Sequence, residues 1–245
     1  MVKPRLTRID KLLVERGYIE SRERAQRLIL AGQVFIDERV VDKPGTLVNE
    51  AAILRIVTTE KYVSRGGYKL EAALDHFQMD VKERTCLDVG ASTGGFTDCL
   101  LQRGAKKVIA VDVGHNQLAW KIRNDPRVEV YEGLNARTMN CSMIGTTVEL
   151  AVADVSFISL TLVLAPILSC VKSEGALIAL IKPQFELEPR YVGKGGVVRD
   201  EELRQAAATK IQRFATEQLG REWVGVIDSP ITGAKGNREF LACLR

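Results

Sequence analysis

The chain has 245 residues, 46% of them hydrophobic and 27% charged, an ordinary globular composition with room for one full α/β domain and a small companion. The net charge of +4 permits a polyanionic partner without demanding one. Five widely spaced cysteines (Cys86, Cys99, Cys141, Cys170 and Cys243) and only His76 and His115 exclude a disulfide framework, a metal site and histidine-centred catalysis.

The first thirty residues carry eight basic side chains, Lys3, Arg5, Arg8, Lys11, Arg16, Arg22, Arg24 and Arg27, against Asp10, Glu15, Glu20 and Glu23. MVKPRLTR at the start has none of the apolar core of a signal peptide, and with reduced cysteines this points to the cytoplasm. Ile9, Leu12 and Leu13, then Ala25, Leu28 and Ile29, recur at helical spacing. Ser21 is placed to cap the second helix and Gly32 to stop it. QVFIDERVV reads as two short strands about an Asp-Glu turn, and AILRIV as a further strand after Pro44-Gly45. The stretch RIDKLLVERGYIESRERAQRLILAGQVFIDERVV resembles the small ribosomal S-four-type RNA-binding domain. That resemblance implies that Arg8, Lys11, Arg22, Arg24 and Arg27 contact phosphates, which arginine grips bidentately and without regard to sequence. A solvated helix face with pairs such as Glu20 with Arg24 is the other reading of the same residues.

Residues 1–58 are thus expected to form an α+β RNA-binding domain, 59–64 a linker and 65–245 a larger domain. Strands are predicted at Thr85–Val89, Lys107–Val111, Val128–Tyr131, Leu150–Ala153, Ala176–Ile181, Trp223–Ile227 and Glu239–Leu244. Interleaved with helices, they indicate a doubly wound, mostly parallel sheet, a Rossmann-like α/β fold. Val155–Val171 is uncharged for 17 residues, but Pro166 and four hydroxyl residues favour a buried loop and helix over a membrane span.

The first of these strands runs into CLDVGASTGGFTDCLL, where such sheets hold nucleotide-like ligands. The spacing is neither G-x-G-x-x-G nor a phosphate-binding loop. Gly90, Gly94 and Gly95 are expected to let backbone approach a ligand, with Ser92, Thr93 and Phe96 beside them. Asp88 would repel a pyrophosphate but attract the sulfonium and α-amino group of S-adenosylmethionine. Asp112 lies 24 residues further on, the spacing of a ribose-binding carboxylate, and Asn135 in GLNAR is a candidate for the adenine edge. No metal is expected.

Asp154 ends the fourth strand and Lys182 the fifth, so both are expected at the ligand crevice. VSRGGYKL, LDVGASTGGFTDCLL, ADVSFISL, IKPQFE, VGKGGVVRD and SPITGAKGNREFL together resemble the TlyA, or hemolysin-A-like, family: an S-four-type domain joined to an FtsJ-like ribose methyltransferase. The resemblance implies a seven-stranded S-adenosylmethionine-dependent methyltransferase sheet and 2′-O-methylation of ribosomal RNA, free or in ribosomal subunits. It places a catalytic Lys-Asp-Lys-Glu tetrad on Lys69, Asp154, Lys182 and Glu239, with Lys182 as base for the 2′-hydroxyl. A free lysine, with a pKa near 10.4, is a poor base at neutral pH. Burial and Lys69 would lower that value while Asp154 and Glu239 would raise it, so Lys182 either accepts the proton or only orients the hydroxyl. EPRYVGKGGVVRD, with Arg190, Lys194 and Arg199, reads as an RNA-gripping lid. Arg65 beside Lys69 joins that set, and Lys235 is a weaker member. Two competing readings remain open: a non-catalytic ribosome-assembly factor and a membrane-active haemolysin.

Overall fold

A computed structural model describes residues 6–57 and 60–245. Lys3 and Arg5 of the basic segment, and positions 58 and 59 where the first domain was expected to meet the linker, lie outside the described residues. The chain divides into two compact units, Met1–Lys61 and Tyr62–Arg245.

In the first unit, β1 (Leu6–Arg8) leads into α1 (Ile9–Glu15) and then α2 (Arg22–Leu30). The Ser21 hydroxyl accepts from the Arg24 N–H and caps α2. β2 (Val34–Ile36) and β3 (Arg39–Val41) form the expected hairpin. Asp37 and Glu38 at its turn both have positive φ, 46° and 65°, the backbone hand that matches strand twist in a two-residue turn. β4 (Leu47–Asn49) pairs with β1, and β5 (Leu54–Ile56) with β2. The β1–β4 ribbon was not legible in the sequence, because three-residue strands are too short to show alternation. Ile9, Leu13, Ile29 and Val34, all fully buried, centre this unit's own core.

The second unit begins with α3 (Gly66–His76), followed by β6 (Thr85–Val89), α4 (Gly95–Gln102), β7 (Lys107–Asp112), α5 (Trp120–Arg123), β8 (Val128–Glu132) and α6 (Cys141–Ile144). Then come β9 (Val148–Ala153), α7 (Leu164–Leu168), β10 (Val171–Ile181), α8 (Pro183–Glu186), α9 (Glu201–Arg213), β11 (Trp223–Asp228) and β12 (Phe240–Leu244). They make one seven-stranded sheet in the order β11-β12-β10-β9-β6-β7-β8. All pairings are parallel except those of β12, which is antiparallel to both neighbours. The reason is the connection: β11 reaches β12 through a loop with no α-helical crossover, so the chain must return antiparallel. Apolar cores fill both faces, one against α3, α4 and α5, the other against α6, α7 and α9. Each fully buried Leu or Ile there contributes about 1.5–3 kcal/mol.

β10 starts earlier than predicted, because its exposed Lys172-Ser173-Glu174 run hides the pattern. The uncharged Val155–Val171 stretch becomes a loop, a short turn and the five-residue α7. Among the described residues no helix is long and apolar enough to cross a membrane. Tyr62, Val63 and Ser64, read as linker, fall in the second unit: Tyr62 is 3% exposed within its core, and the Val63 N–H donates to Asp98 at 2.8 Å. Gly67 makes room for the Tyr62 ring, which a Cβ would overlap.

Candidate active site

The sheet order reverses between β6 and β9, and the loops leaving their carboxyl ends form a crevice. Two cavities meet there, of about 320 and 410 Å3, sharing Gly90, Ser92, Asp154 and Ser156.

The smaller cavity holds all four tetrad residues or their immediate partners. Lys182 follows β10 and its Nζ lies 2.6 Å from Asp154 Oδ1; it also donates to the Ser156 hydroxyl at 2.7 Å. Lys69, in the first turn of α3, lies 2.6 Å from Glu239 Oε2, a pair with side chains only 9% and 2% exposed. Lys69, Asp154 and Lys182 line the cavity, as does Gly233, which sits tight against the Glu239 carboxylate. Glu239 precedes β12 rather than starting it, and the antiparallel return explains its place. Phe240 pairs with Ile181, so the beginning of β12 lies beside the end of β10, next to Lys182. Arg65, Ser92, Thr93, Gly95 and Phe96 also line this cavity.

The larger cavity carries Asp112 and Asn135 together with apolar Val113, Leu134 and Ile158. Asp112 accepts from the Ser92 N–H at 2.8 Å and the Gly114 N–H at 2.7 Å, one bond on each oxygen. Asn135 turns its carbonyl oxygen to the Arg137 N–H at 3.0 Å.

Asp88 and Gly94 take other places than expected. Asp88 is fully buried and lines neither cavity. Strand alternation puts it on the same face of β6 as Cys86, toward α4, where Thr97 donates to Oδ2 at 2.6 Å and Oδ1 has no partner among the described residues. Burial, reinforced by the charges of Asp154 and Asp112, pushes its pKa up to about 7. The glycines serve the protein's own packing. Gly90 has φ +83°, and a Cβ would stand 2.5 Å from the Asp154 carbonyl oxygen; Gly94, at φ +95°, would meet Leu118 at 2.9 Å. They let the turn close on β9 and on α5.

Ser156, Phe157 and Glu186 escaped the reading of the sequence. Phe157 is 90% exposed at the rim, with φ +62°, a conformation a bulky residue holds only under constraint. The constraint is visible on both sides. Ser156 is held by Lys182, while Glu186 accepts from the Leu160 N–H at 2.8 Å and from the Ser159 hydroxyl. The Phe157 ring lies 5.1 Å from that of Phe185. Their signal was an aromatic between a strand-end Asp and a hydroxyl run, ordinary in an apolar stretch.

Beyond the crevice, Arg190 pairs with Glu188 and stacks on Tyr191, whereas Lys194 and Arg199 are exposed and unpaired among the described residues. Lys235 is exposed in the β11–β12 loop. In the first unit, Asp10 is fully buried and accepts from Arg8, Arg22 and Gln26. The Arg8 guanidinium holds its carboxyl far below the usual carboxylate range. Arg8 and Arg22 thus serve this unit's structure, though half-exposed; Lys11 pairs with Glu15 along α1, and Arg24 of α2 pairs with Glu20, which precedes the cap. Arg27 has no ion pair among the described residues. No group of His, Cys, Asp and Glu among them is arranged to hold a metal ion.

Residues 62–245 match the FtsJ-like methyltransferase family, and residues 7–54 match the S4 domain. The chain is 48% identical, over 98% of its length and 90% of the relative's, to the 16S/23S rRNA (cytidine-2′-O)-methyltransferase TlyA of Mycobacterium tuberculosis. It is 46% identical to Hemolysin A of Brachyspira hyodysenteriae, covering 96% of this chain and 98% of that one. A solved structure of a hemolysin-named chain from Streptococcus thermophilus superposes with a TM-score of 0.75 at 41% identity, over 99% of this chain and 89% of the other. Two Lys–carboxylate pairs, their lysines both buried, at one crevice of a seven-stranded sheet, and a match that spans the whole second unit, have one explanation: the chain belongs to the FtsJ-like methyltransferase family and carries an S4 domain ahead of its catalytic unit.

Proposed function

We propose that this protein transfers a methyl group from S-adenosylmethionine to a ribose 2′-hydroxyl of ribosomal RNA. The carrying observation is the convergence of the Lys182–Asp154 and Lys69–Glu239 pairs on one cavity that opens into the Gly90 turn. The cofactor fits the residues present. The larger cavity offers a carboxylate and an amide for ribose and adenine beside an apolar wall, and Asp154 stands where the two cavities join, favourable to a positive sulfonium. When bound, S-adenosylmethionine supplies an electrophilic methyl group.

The chain's own residues then do the rest. Asp154 and Ser156 fix the Lys182 amine, which orients the 2′-hydroxyl; the Lys182–Asp154 pair is where the hydroxyl proton goes. Lys69, which lines the same cavity and is paired with Glu239 behind it, holds the acceptor in line, so positioning contributes much of the rate. Phe157 and Phe185 at the rim offer an aromatic face to the unstacked base, the way proteins commonly read RNA. Arg65 at the cavity, Lys194 and Arg199 beyond it, and Arg27 in the S4 domain grip phosphates. Cytidine is the expected nucleotide, since that is what the M. tuberculosis relative is named for.

The test incubates ribosomal subunits and naked ribosomal RNA with labelled S-adenosylmethionine and maps the product. The expected outcome is a 2′-O-methylated nucleotide whose formation falls about 10²–10⁴-fold in Lys182→Ala with cofactor affinity retained. Label on a base or a protein, or full activity in that variant, overturns the proposal.

A further inference from the structure

Asn237 is 3% exposed and lies in the loop between β11 and β12, two residues before Glu239. Its backbone carbonyl accepts from the Gly233 N–H at 2.8 Å, closing a turn over residues 233–237. That turn borders the catalytic cavity through Gly233, whose Cα sits too close to the Glu239 carboxylate to admit a Cβ.

The side chain of Asn237 faces a different segment. Its Oδ1 accepts from the Val198 N–H at 3.0 Å and its Nδ2 donates to the Gly196 carbonyl at 2.8 Å. An amide spanning two backbone groups in this way imitates a rung of a β-ladder. The segment it holds is the tip of the basic loop after α8, closed by the Gly193 N–H donating to Val197 O at 3.1 Å. Gly195 and Gly196 have φ of +83° and +79°, with open space where side chains would be. Packing therefore does little to fix this tip, which carries exposed Lys194. A buried amide with both functions satisfied is specific in direction as well as favourable, and leaving either function unpaired costs more than the bond contributes.

We propose that Asn237 is a positioning residue: it locks the Lys194 loop to the turn that packs against Glu239, so that the grip on RNA phosphate is held in register with the catalytic carboxylate. This rests on the reading of that loop as an RNA contact. The separate test of the two is a double-mutant cycle in the full-length protein with naked ribosomal RNA. Lys194→Ala, Asn237→Ala and the double variant are compared by KM, kcat, cofactor affinity and the salt dependence of RNA binding.

Lys194→Ala is expected to raise KM for RNA and to make the slope of log affinity against log salt shallower by about 0.7–0.9, the loss of one phosphate contact. Asn237→Ala is expected to do the same with cofactor affinity unchanged, and the double variant to have the same slope as Asn237→Ala alone. Asn237→Asp, which keeps the acceptor to Val198 but loses the donor to Gly196, carries the same cycle should the alanine variant fold poorly. A silent Lys194→Ala removes the RNA role of the loop, and the proposal with it. An effective Lys194→Ala whose slope change adds in full to that of either Asn237 variant overturns the role of Asn237 alone. So does an Asn237 variant whose only effect is lower thermal stability.

Discussion

Lys69 and Lys182 each face one carboxylate at 2.6 Å, yet their surroundings set different consequences for losing it. Glu239 is 2% exposed, so Glu239→Gln leaves the Lys69 charge buried without a counter-ion; breaking such a pair from one side costs about 3–5 kcal/mol. Asp154 is 24% exposed, and Lys182, itself only 10% exposed, keeps the Ser156 hydroxyl as an acceptor, so Asp154→Asn is expected to lose methyl transfer with a smaller stability loss than Glu239→Gln. Urea unfolding and product formation, measured on both variants, check the contrast; equal stability losses would refute it. The four residues of the proposed tetrad were named from motifs that resemble the family's. Which lysine pairs with which carboxylate was not, because Lys69 and Glu239 are 170 positions apart and only the folded sheet decides their contact.

At the scale of the element, the loop after β9 and helix α2 differ in how local order leaves side chains available for the proposed contact with RNA. The Phe157 loop is pinned through Ser156 on one side and Glu186 on the other, which holds an exposed aromatic at a positive φ. Phe157→Ala is expected to lower kcat/KM for RNA by about 1–3 kcal/mol equivalent, the worth of one base stacked on an aromatic ring, while cofactor affinity stays constant and Phe157→Trp retains activity. A parallel loss of cofactor affinity in a titration would count against base stacking. On α2, Arg22 is tied to buried Asp10 whereas Arg27 is not. Arg27→Ala is therefore expected to weaken RNA binding and flatten its salt dependence without moving the melting temperature. Arg8→Ala, which strips Asp10 of two hydrogen bonds, lowers the melting temperature of the first unit. Differential scanning calorimetry beside salt-titrated RNA binding separates the two; a reversed pattern would show the roles to be exchanged. The helices themselves were readable from spacing, but the buried acid that commits Arg8 and Arg22 was not, since Asp10 looks like any first-turn carboxylate.

Over the whole molecule, one buried carboxylate in each unit is expected to respond to pH in the opposite sense to the other, Asp10 in the first and Asp88 in the second. Asp10 has its pKa lowered, mainly by the hydrogen bonds from Arg8, so it adds stability to the first unit above its unfolded value of 3.8 and loses it as pH falls further. Asp88 is raised to about 7 by burial, so its contribution to the second unit is complete below about pH 4 and is lost as pH rises through about 7. Hydrogen exchange followed unit by unit is expected to show the first unit opening below about pH 4, and the second strengthened by Asp88 as pH falls from about 7 toward about 5. Asp88→Asn flattens the second unit's dependence between about pH 4 and 7. A second unit whose stability climbs across that range in the wild type, and is unchanged by the substitution, would refute the assignment.

Hydrophobic run lengths, glycine turns and capping residues are local quantities, and from them the order of strands and helices, the doubly wound fold and the glycine turn at the end of the first long strand follow without coordinates. The direction of β12, the pairing of four distant charges, the burial of Asp88 beneath the turn and the commitment of Arg8 and Arg22 to Asp10 depend on which segments come to lie side by side. Those are matters of burial and of contact between residues remote in the chain, so packing alone settles them.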